Sequence, residues 1–194
     1  YRRTAQRLLF QRDDHSVASM LHKILKEGNE EAKIPALWLL HDWKELNSSD
    51  LTIALTAKES GVRENALQLI DRAWSNPEFQ TEELKSALLK TANDPSDRVR
   101  FQFLCSSAFF NFPEMAELKS TILKNDVEDE WVGIAAIAAS AGSEEVLFQN
   151  AVRDFGSKAS ENKSLFFAHT AATLYKKGGL GLITKILEKN EESN

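Results

Sequence analysis

The segments Leu84–Lys90 (Leu-Lys-Ser-Ala-Leu-Leu-Lys) and Leu118–Lys124 (Leu-Lys-Ser-Thr-Ile-Leu-Lys) are nearly identical and begin 34 residues apart. Related copies begin at positions 20, 51, 148 and 182, so that successive copies start 30 to 34 residues apart. A period of this length is typical of stacked repeats, in which each unit buries its apolar face against its neighbours.

A second pattern alternates with the first and is sharpest at Val62–Ile70 (Val-Arg-Glu-Asn-Ala-Leu-Gln-Leu-Ile). Its other copies begin at positions 1, 32, 99 and 131, with a last one near 163, and successive starts in the first five are 30 to 37 residues apart. Both patterns place apolar residues three and four positions apart, which is the stripe of an amphipathic helix. Each repeat is therefore predicted to hold two helices, and none of the segments alternates as a strand would.

Turn-forming residues separate the copies at Gly28-Asn29, Asn47–Asp50, Asn76-Pro77, Asn93–Ser96 and Gly142-Ser143. Among these residues, Asp50, Ser96 and Ser143 are predicted N-caps. The fold class predicted is all-α, an α-solenoid of about twelve helices in a right-handed superhelix that spans residues 1–194 as one domain. Five residues are predicted to be buried between the two helix layers: Leu67, Leu88, Leu104, Ile122 and Ala135.

Composition narrows the functional classes. The chain has 194 residues and a formal net charge of −5, which disfavours a dedicated nucleic-acid binder. The single cysteine, Cys105, excludes an internal disulfide and a cysteine-based metal cage. No apolar run reaches the roughly 18 residues of a membrane span. The expected partner is therefore a protein or a neighbouring domain, with no nucleic acid and no membrane span.

The turn and helix opening at Asp94–Arg100 (Asp-Pro-Ser-Asp-Arg-Val-Arg), together with Val62–Ile70, resemble HEAT repeats. This resemblance extends over essentially the whole chain and implies the solenoid fold, but it implies no particular activity. A narrower resemblance, to the HEAT segment of large bacterial membrane-bound dehydrogenases, rests on four segments in order: Ala36–Leu40, Val62–Leu67, Asp97–Gln102 and Asp129–Val132.

In that dehydrogenase family a propeller-type domain precedes the repeats and a cytochrome c domain with a Cys-x-x-Cys-His haem motif follows them. Here Cys105 is followed by two serines, so this chain has no haem attachment. The resemblance implies that any redox activity belongs to other domains, and that the protein is periplasmic or extracellular. The expected role is a non-catalytic spacer or interaction module without a cofactor, an interior slice whose apolar ends associate.

Arg63 and Arg100 each open a helix of the second pattern, and Asp94 and Asp97 lie in the turn before Arg100. This arrangement resembles the charged ladders of HEAT proteins, which implies that the four residues link repeats through paired guanidinium–carboxylate bonds. Anion binding along a concave face is the alternative for the two arginines.

Trp38 and His41 fall at repeat positions where the residue type differs in polarity from copy to copy. They are the candidates for contact with a partner, and partly buried packing is the alternative for Trp38. Trp131 and Trp43 are predicted to be in the core, and Phe109 and Phe110 to be buried on at least one side.

Few residues point to catalysis or metal binding. His15 and His22 are seven residues apart and lack a third ligand in the sequence pattern, which disfavours a metal site. The acidic clusters stand at predicted helix starts, where the helix dipole favours negative charge. Gly178–Gly181 follows no strand and carries no phosphate-loop lysine, so an inter-helix turn is predicted.

Three function classes remain open. The first is a spacer or interaction module within a larger dehydrogenase-like protein, and the second is a free-standing scaffold for a protein partner. The third is an enzyme on HEAT-like repeats, such as a DNA glycosylase or a chromophore lyase. A glycosylase needs a basic groove, whereas the only dense basic segment runs from Arg2 to Arg7, with Arg12 beyond it.

Overall fold

The structure is a computed structural model that describes residues 4, 7–9, 11, 15–155 and 159–191. Within these residues the protein is all-α, as predicted, and contains no strand. Eleven α-helices lie in the continuous stretches: α1 (Ala18–Glu27), α2 (Glu30–Asp42), α3 (Ser48–Leu55), α4 (Ser60–Ala73), α5 (Glu82–Lys90), α6 (Asp97–Ser106), α7 (Met115–Asp126), α8 (Glu130–Ala138), α9 (Glu144–Asp154), α10 (Glu161–Lys176) and α11 (Leu180–Glu191).

The two sequence patterns coincide with alternate helices. The copies that begin at 20, 51, 84, 118, 148 and 182 lie in the odd-numbered helices, and those at 32, 62, 99, 131 and 163 lie in the even-numbered ones. The copy predicted at Tyr1 begins outside the described residues. Period and phase of the helices were therefore predicted correctly from position 20 onward.

Short polar side chains fix several helix starts. Asn29, Asn47, Thr81 and Ser160 each accept a hydrogen bond from a backbone N–H of the first turn that follows. The N-cap of α3 is Asn47, and the predicted cap, Asp50, is instead the third residue of its capping box. Ser143 stands at the N-cap of α9, but its hydroxyl donates to the carbonyl of Ser140.

The helices form two compact units, residues 1–102 and 103–194, and the boundary falls within α6. In the first unit α1 packs on α2 and α3 packs on α4, while α1, α3 and α5 contact one another in series and α2 contacts α4. In the second unit α7 packs on α8 and α9 packs on α10, while α7, α9 and α11 form one series and α8 contacts α10. Each unit thus combines packing within a helix pair with packing between next-but-one helices.

The predicted core residues are buried. Leu67, Leu88, Leu104 and Ile122 are fully inaccessible to solvent, and Ala135 is buried as well. Trp43 also lies in the core, as predicted. Phe110 is buried, but its neighbour Phe109 is exposed.

Trp131 was predicted to be buried, and this prediction is wrong, because its side chain is 60% exposed. The reason is a slip of one residue between the sequence pattern and the helix. Val132 takes the inward position that Val62 and Val99 hold in their helices, and Ala135 and Ala136 continue the buried stripe of α8. One residue rotates a side chain by about 100°, so Trp131 faces solvent.

Truncation of the core in either unit is expected to destabilise the protein. Leu88→Ala and Ile122→Ala each remove a fully buried side chain and leave a cavity, which costs about 2–5 kcal/mol of unfolding free energy. Met20→Ala is the control, since Met20 is exposed, and its expected effect is within about 0.5 kcal/mol. Urea denaturation followed by circular dichroism measures all three, and equal effects at the three positions would contradict the burial described.

Candidate functional site

Arg63 and Asp94 form a buried ion pair between consecutive repeats. The Nε and Nη2 groups of Arg63 donate to the two carboxylate oxygens of Asp94, each at 2.6 Å. Nη1 donates to the carbonyl oxygens of Ala57 and Lys58 at 2.9 and 2.8 Å. The bond to Asp94 is the main cause that raises the pKa of the Arg63 guanidinium above its ordinary value. The guanidinium is directed at protein acceptors, which is the geometry of a structural clamp rather than of an anion site.

The other two predicted ladder residues lie near this clamp but act differently. Arg100 donates from Nη1 to the backbone carbonyl of Asp94 at 2.7 Å, so it holds the same turn through the main chain. Asp97 is exposed, and its Oδ1 accepts from the backbone N–H of Arg98 at 2.7 Å. Asp94 thus binds both arginines: its carboxylate accepts from Arg63, and its backbone carbonyl accepts from Arg100.

Trp38 and His41 lie together on α2, and both are half-buried. The indole Nε1 of Trp38 donates to Asn65 Oδ1 of α4 at 2.8 Å, and the guanidinium of Arg72 lies 4.9 Å from its ring centre. The ring of His41 meets that of Trp38 edge-on at 6.1 Å. These contacts engage both the polar end and the face of the indole, which favours the packing role for Trp38.

The two histidines that the sequence singles out as a possible metal pair each contact a carboxylate instead. His22 Nδ1 is 2.9 Å from Asp50 Oδ1, and His15 Nδ1 is 3.1 Å from Glu45 Oε1. No group of three or more potential metal ligands from His, Cys, Asp and Glu occurs in the described part of the chain. Gly178 has a positive φ of 81° in the turn before α11, a conformation that favours glycine.

A cavity of about 410 Å³ lies within the second unit, where sequence reasoning placed no site. One wall is the connection between α6 and α7, which contributes the aromatic side chains of Phe109 and Phe112 together with Pro113. The turn between α8 and α9 also lines the cavity, with Ser140 and Ser143. Lys119 of α7 and Val146 of α9 belong to the lining as well.

Lys119 is only 8% exposed, and its Nζ donates to the carbonyl oxygen of Ala139, the C-cap of α8. The sequence repeat equates Lys119 with Lys85, which is half-buried. The two helices differ in rotation, because Ser120 is buried on α7 while the equivalent Ser86 is exposed on α5. The repeat pattern therefore could not predict the burial of Lys119. The sequence feature that could have indicated the cavity is the group of three phenylalanines in residues 109–112, since apolar side chains in a connection usually pack against other parts of the protein.

Burial lowers the pKa of the Lys119 ammonium below its ordinary value of 10.5. No nearby acid is among the causes of this shift, which is due to loss of hydration alone. The carboxylates on neighbouring helices are bonded to other groups: Glu144 accepts from Lys177, and Asp154 accepts from Arg153 and Ser120. These bonds lower the pKa of both carboxyl groups.

The even-numbered helices of the second unit also expose apolar side chains. We define the apolar face by Trp131 and Ile134 of α8 and by Leu165 and Tyr175 of α10, all four of which are exposed. The two helices pack against each other, with Gly133 of α8 close to Phe166 of α10. In the first unit the equivalent surface of α4 carries polar side chains, among them Glu64, Gln68 and Arg72.

Comparison with known proteins adds no relative, because no family model, curated protein or solved structure matches this chain. In the described stretches no helix combines the length and the hydropathy that a membrane crossing requires.

Removal of one partner of the buried clamp is expected to be costly. Arg63→Ala leaves the Asp94 carboxylate buried without its bidentate partner, for which about 3–5 kcal/mol of unfolding free energy is expected. Arg98→Ala is the matched control, since Arg98 pairs with Glu64 at the surface, and such pairs contribute about 0–1 kcal/mol. Chemical denaturation distinguishes the two variants, and similar losses would show that the clamp is not the stronger contact.

The lowered pKa of Lys119 predicts a pH dependence of stability. Between the folded-state pKa and 10.5 the unfolded chain holds a proton that the folded chain has lost, so the free energy of unfolding rises with pH in that interval. Lys119→Met removes the titrating group, so the wild type is expected to gain stability relative to this variant as the pH rises from 7 towards 10. Urea midpoints across this range test the sign, with Lys85→Met as control, and parallel curves for wild type and Lys119→Met would contradict it.

Proposed function

We propose that this chain is a non-catalytic, HEAT-like α-solenoid module that binds a protein partner or a neighbouring domain of the same polypeptide. Support for a repeat module comes from the two interleaved sequence patterns, which fall on alternate helices. It also comes from the next-but-one helix packing within each unit and from the Arg63–Asp94 clamp between repeats. As implied by the sequence resemblance, the host that we favour is a larger periplasmic or secreted dehydrogenase-like protein.

The observation that carries the proposal is the apolar face. Trp131 and Ile134 are three residues apart, and therefore lie on one side of α8. On α10, the exposed residues Leu165, Ala168, Ala172 and Tyr175 also follow a helical spacing. Exposed tryptophan and tyrosine are the residue types that dominate the binding free energy at protein interfaces. Exposed apolar side chains of this kind are the feature that a partner would cover.

Site-specific photo-cross-linking tests this role. A photoreactive phenylalanine at Ile134 is expected to form one dominant adduct with the partner, in the cells that produce the protein or within its longer polypeptide. The same group at Gln68, on the polar surface of the first unit, is the matched control and is expected to give no such adduct. Trp131→Ser should lower the adduct yield by about tenfold or more, because loss of an anchor tryptophan costs about 2 kcal/mol or more of binding.

Circular dichroism is the control for folding, and Trp131→Ser is expected to keep the wild-type spectrum because Trp131 is exposed. Equal adducts from positions 134 and 68, or an adduct from position 134 that persists undiminished in Trp131→Ser, would refute the role of the apolar face.

A further inference from the structure

Lys119 is an exception among the buried cations of the described residues. Three cationic side chains are buried there: Lys33, Arg63 and Lys119. Lys33 pairs with Glu59 at 3.2 Å and Arg63 pairs with Asp94 at 2.6 Å. Lys119 bonds to a backbone carbonyl oxygen instead. A buried charge is ordinarily paired, since its burial without a counter-charge is unfavourable.

The ammonium group of Lys119 has capacity for a further acceptor. It offers three N–H donors, of which the carbonyl of Ala139 takes one. Capping of the last turn of α8 accounts for that single bond, because a lysine there complements the helix dipole. It does not account for the burial of the side chain or for the cavity beside it, since an exposed lysine would cap the helix equally well.

The other lining residues of the cavity indicate which chemical groups a ligand would carry besides an acceptor for Lys119. Among the described lining residues Lys119 alone carries a charge, and Phe109, Phe112, Pro113 and Val146 supply apolar surface. Phe109 is 61% exposed although it lines the cavity, so an occupant would cover it. A volume of about 410 Å³ falls within the range of roughly 300–1,000 Å³ that small-molecule sites occupy.

We propose that this cavity binds a monocarboxylate that carries an aromatic or aliphatic body. The carboxylate accepts from Lys119 Nζ, and the body packs on Phe109, Phe112 and Val146. One negative charge matches the one cation of the lining, whereas a phosphate dianion would be left with an uncompensated charge. The same chemistry is presented by a free organic acid and by the C-terminus of a peptide that ends in an apolar residue. The lining of this cavity shares no residue with the apolar face, and the proposal does not depend on the protein-binding role.

Calorimetric titration of the whole chain tests the proposal with matched probes. The first arm uses 4-phenylbutyrate and its neutral amide, and the second uses a peptide that ends in Phe with a free or an amidated C-terminus. Saturable binding of a free acid is expected in at least one arm, with affinity at least about tenfold higher than that of the matched amide, because hydrogen bonds to charged groups are the strong ones. Binding in the first arm alone identifies a small acid, and binding in the second alone identifies a peptide terminus.

Variants assign the binding to Lys119. Lys119→Met keeps most of the aliphatic stem and is expected to lose about tenfold or more in affinity for the acid. Lys85→Met, at the equivalent position of α5, is expected to bind within about twofold of the wild type, since Lys85 does not line this cavity. Circular dichroism and urea denaturation check that both variants fold.

The proposal is overturned if neither acid saturates the wild type at millimolar concentration, or if acid and amide bind equally. Undiminished affinity in a folded Lys119→Met also overturns it. If Lys119→Met does not fold, the acid–amide difference on the wild type decides, together with the shift of the Lys119 side-chain NMR signal. A shift on addition of acid supports the proposal, and its absence overturns it.

Discussion

Each helix in this protein has an apolar stripe that it cannot bury alone, and the fold is the solution to that constraint. The helices are mostly 8 to 14 residues long, a length at which an isolated helix is marginal in water. In α1–α4 and α7–α10, burial against a pair partner covers part of the stripe, and contact with the next helix but one covers more. The stability of any one helix therefore depends on packing against its neighbours, and a repeated sequence pattern provides neighbours with matching apolar stripes.

Polar contacts add to this apolar packing by holding the turns between helices in place. Arg63 would be unfavourable in the interior by itself, but its fork meets two carboxylate oxygens and two carbonyls. Asp94 in turn accepts from the backbone N–H of Ser96, so the residue that receives Arg63 also shapes the entry to α6. A cation at the start of one helix thereby sets the path of the chain at the start of a later one.

The sequence predicts the period, the class and most of the core because apolar spacing is a direct record of which side of a helix faces inward. It fails where a copy is displaced by one residue, as at Trp131. It fails again at Lys119, because an almost identical heptapeptide is rotated differently on α5 and α7. Rotation of a helix about its axis depends on what it packs against, and the connection before α7 carries three phenylalanines where the connection before α5 carries Trp74 and Phe79. The Arg63–Asp94 pair was open to prediction because both residues stand at fixed places in the repeat, whereas the cavity is made by what departs from the repeat.

The exposure of Trp131 has a spectroscopic consequence. Of the four tryptophans, three belong to residues 1–102 and Trp131 alone belongs to residues 103–194. Trp43 is buried beside the ring of His15, and Trp38 and Trp74 are half-buried, so the indoles of the first unit are more shielded than that of Trp131. Trp131 is 60% exposed, so its fluorescence is expected at the longer wavelength of an indole in contact with water. The intrinsic fluorescence of the unmodified chain therefore has a shorter-wavelength component from the first unit and a longer-wavelength component from Trp131. Loss of the first component indicates that the first unit has unfolded. Loss of the second indicates that Trp131 has been covered by a bound molecule.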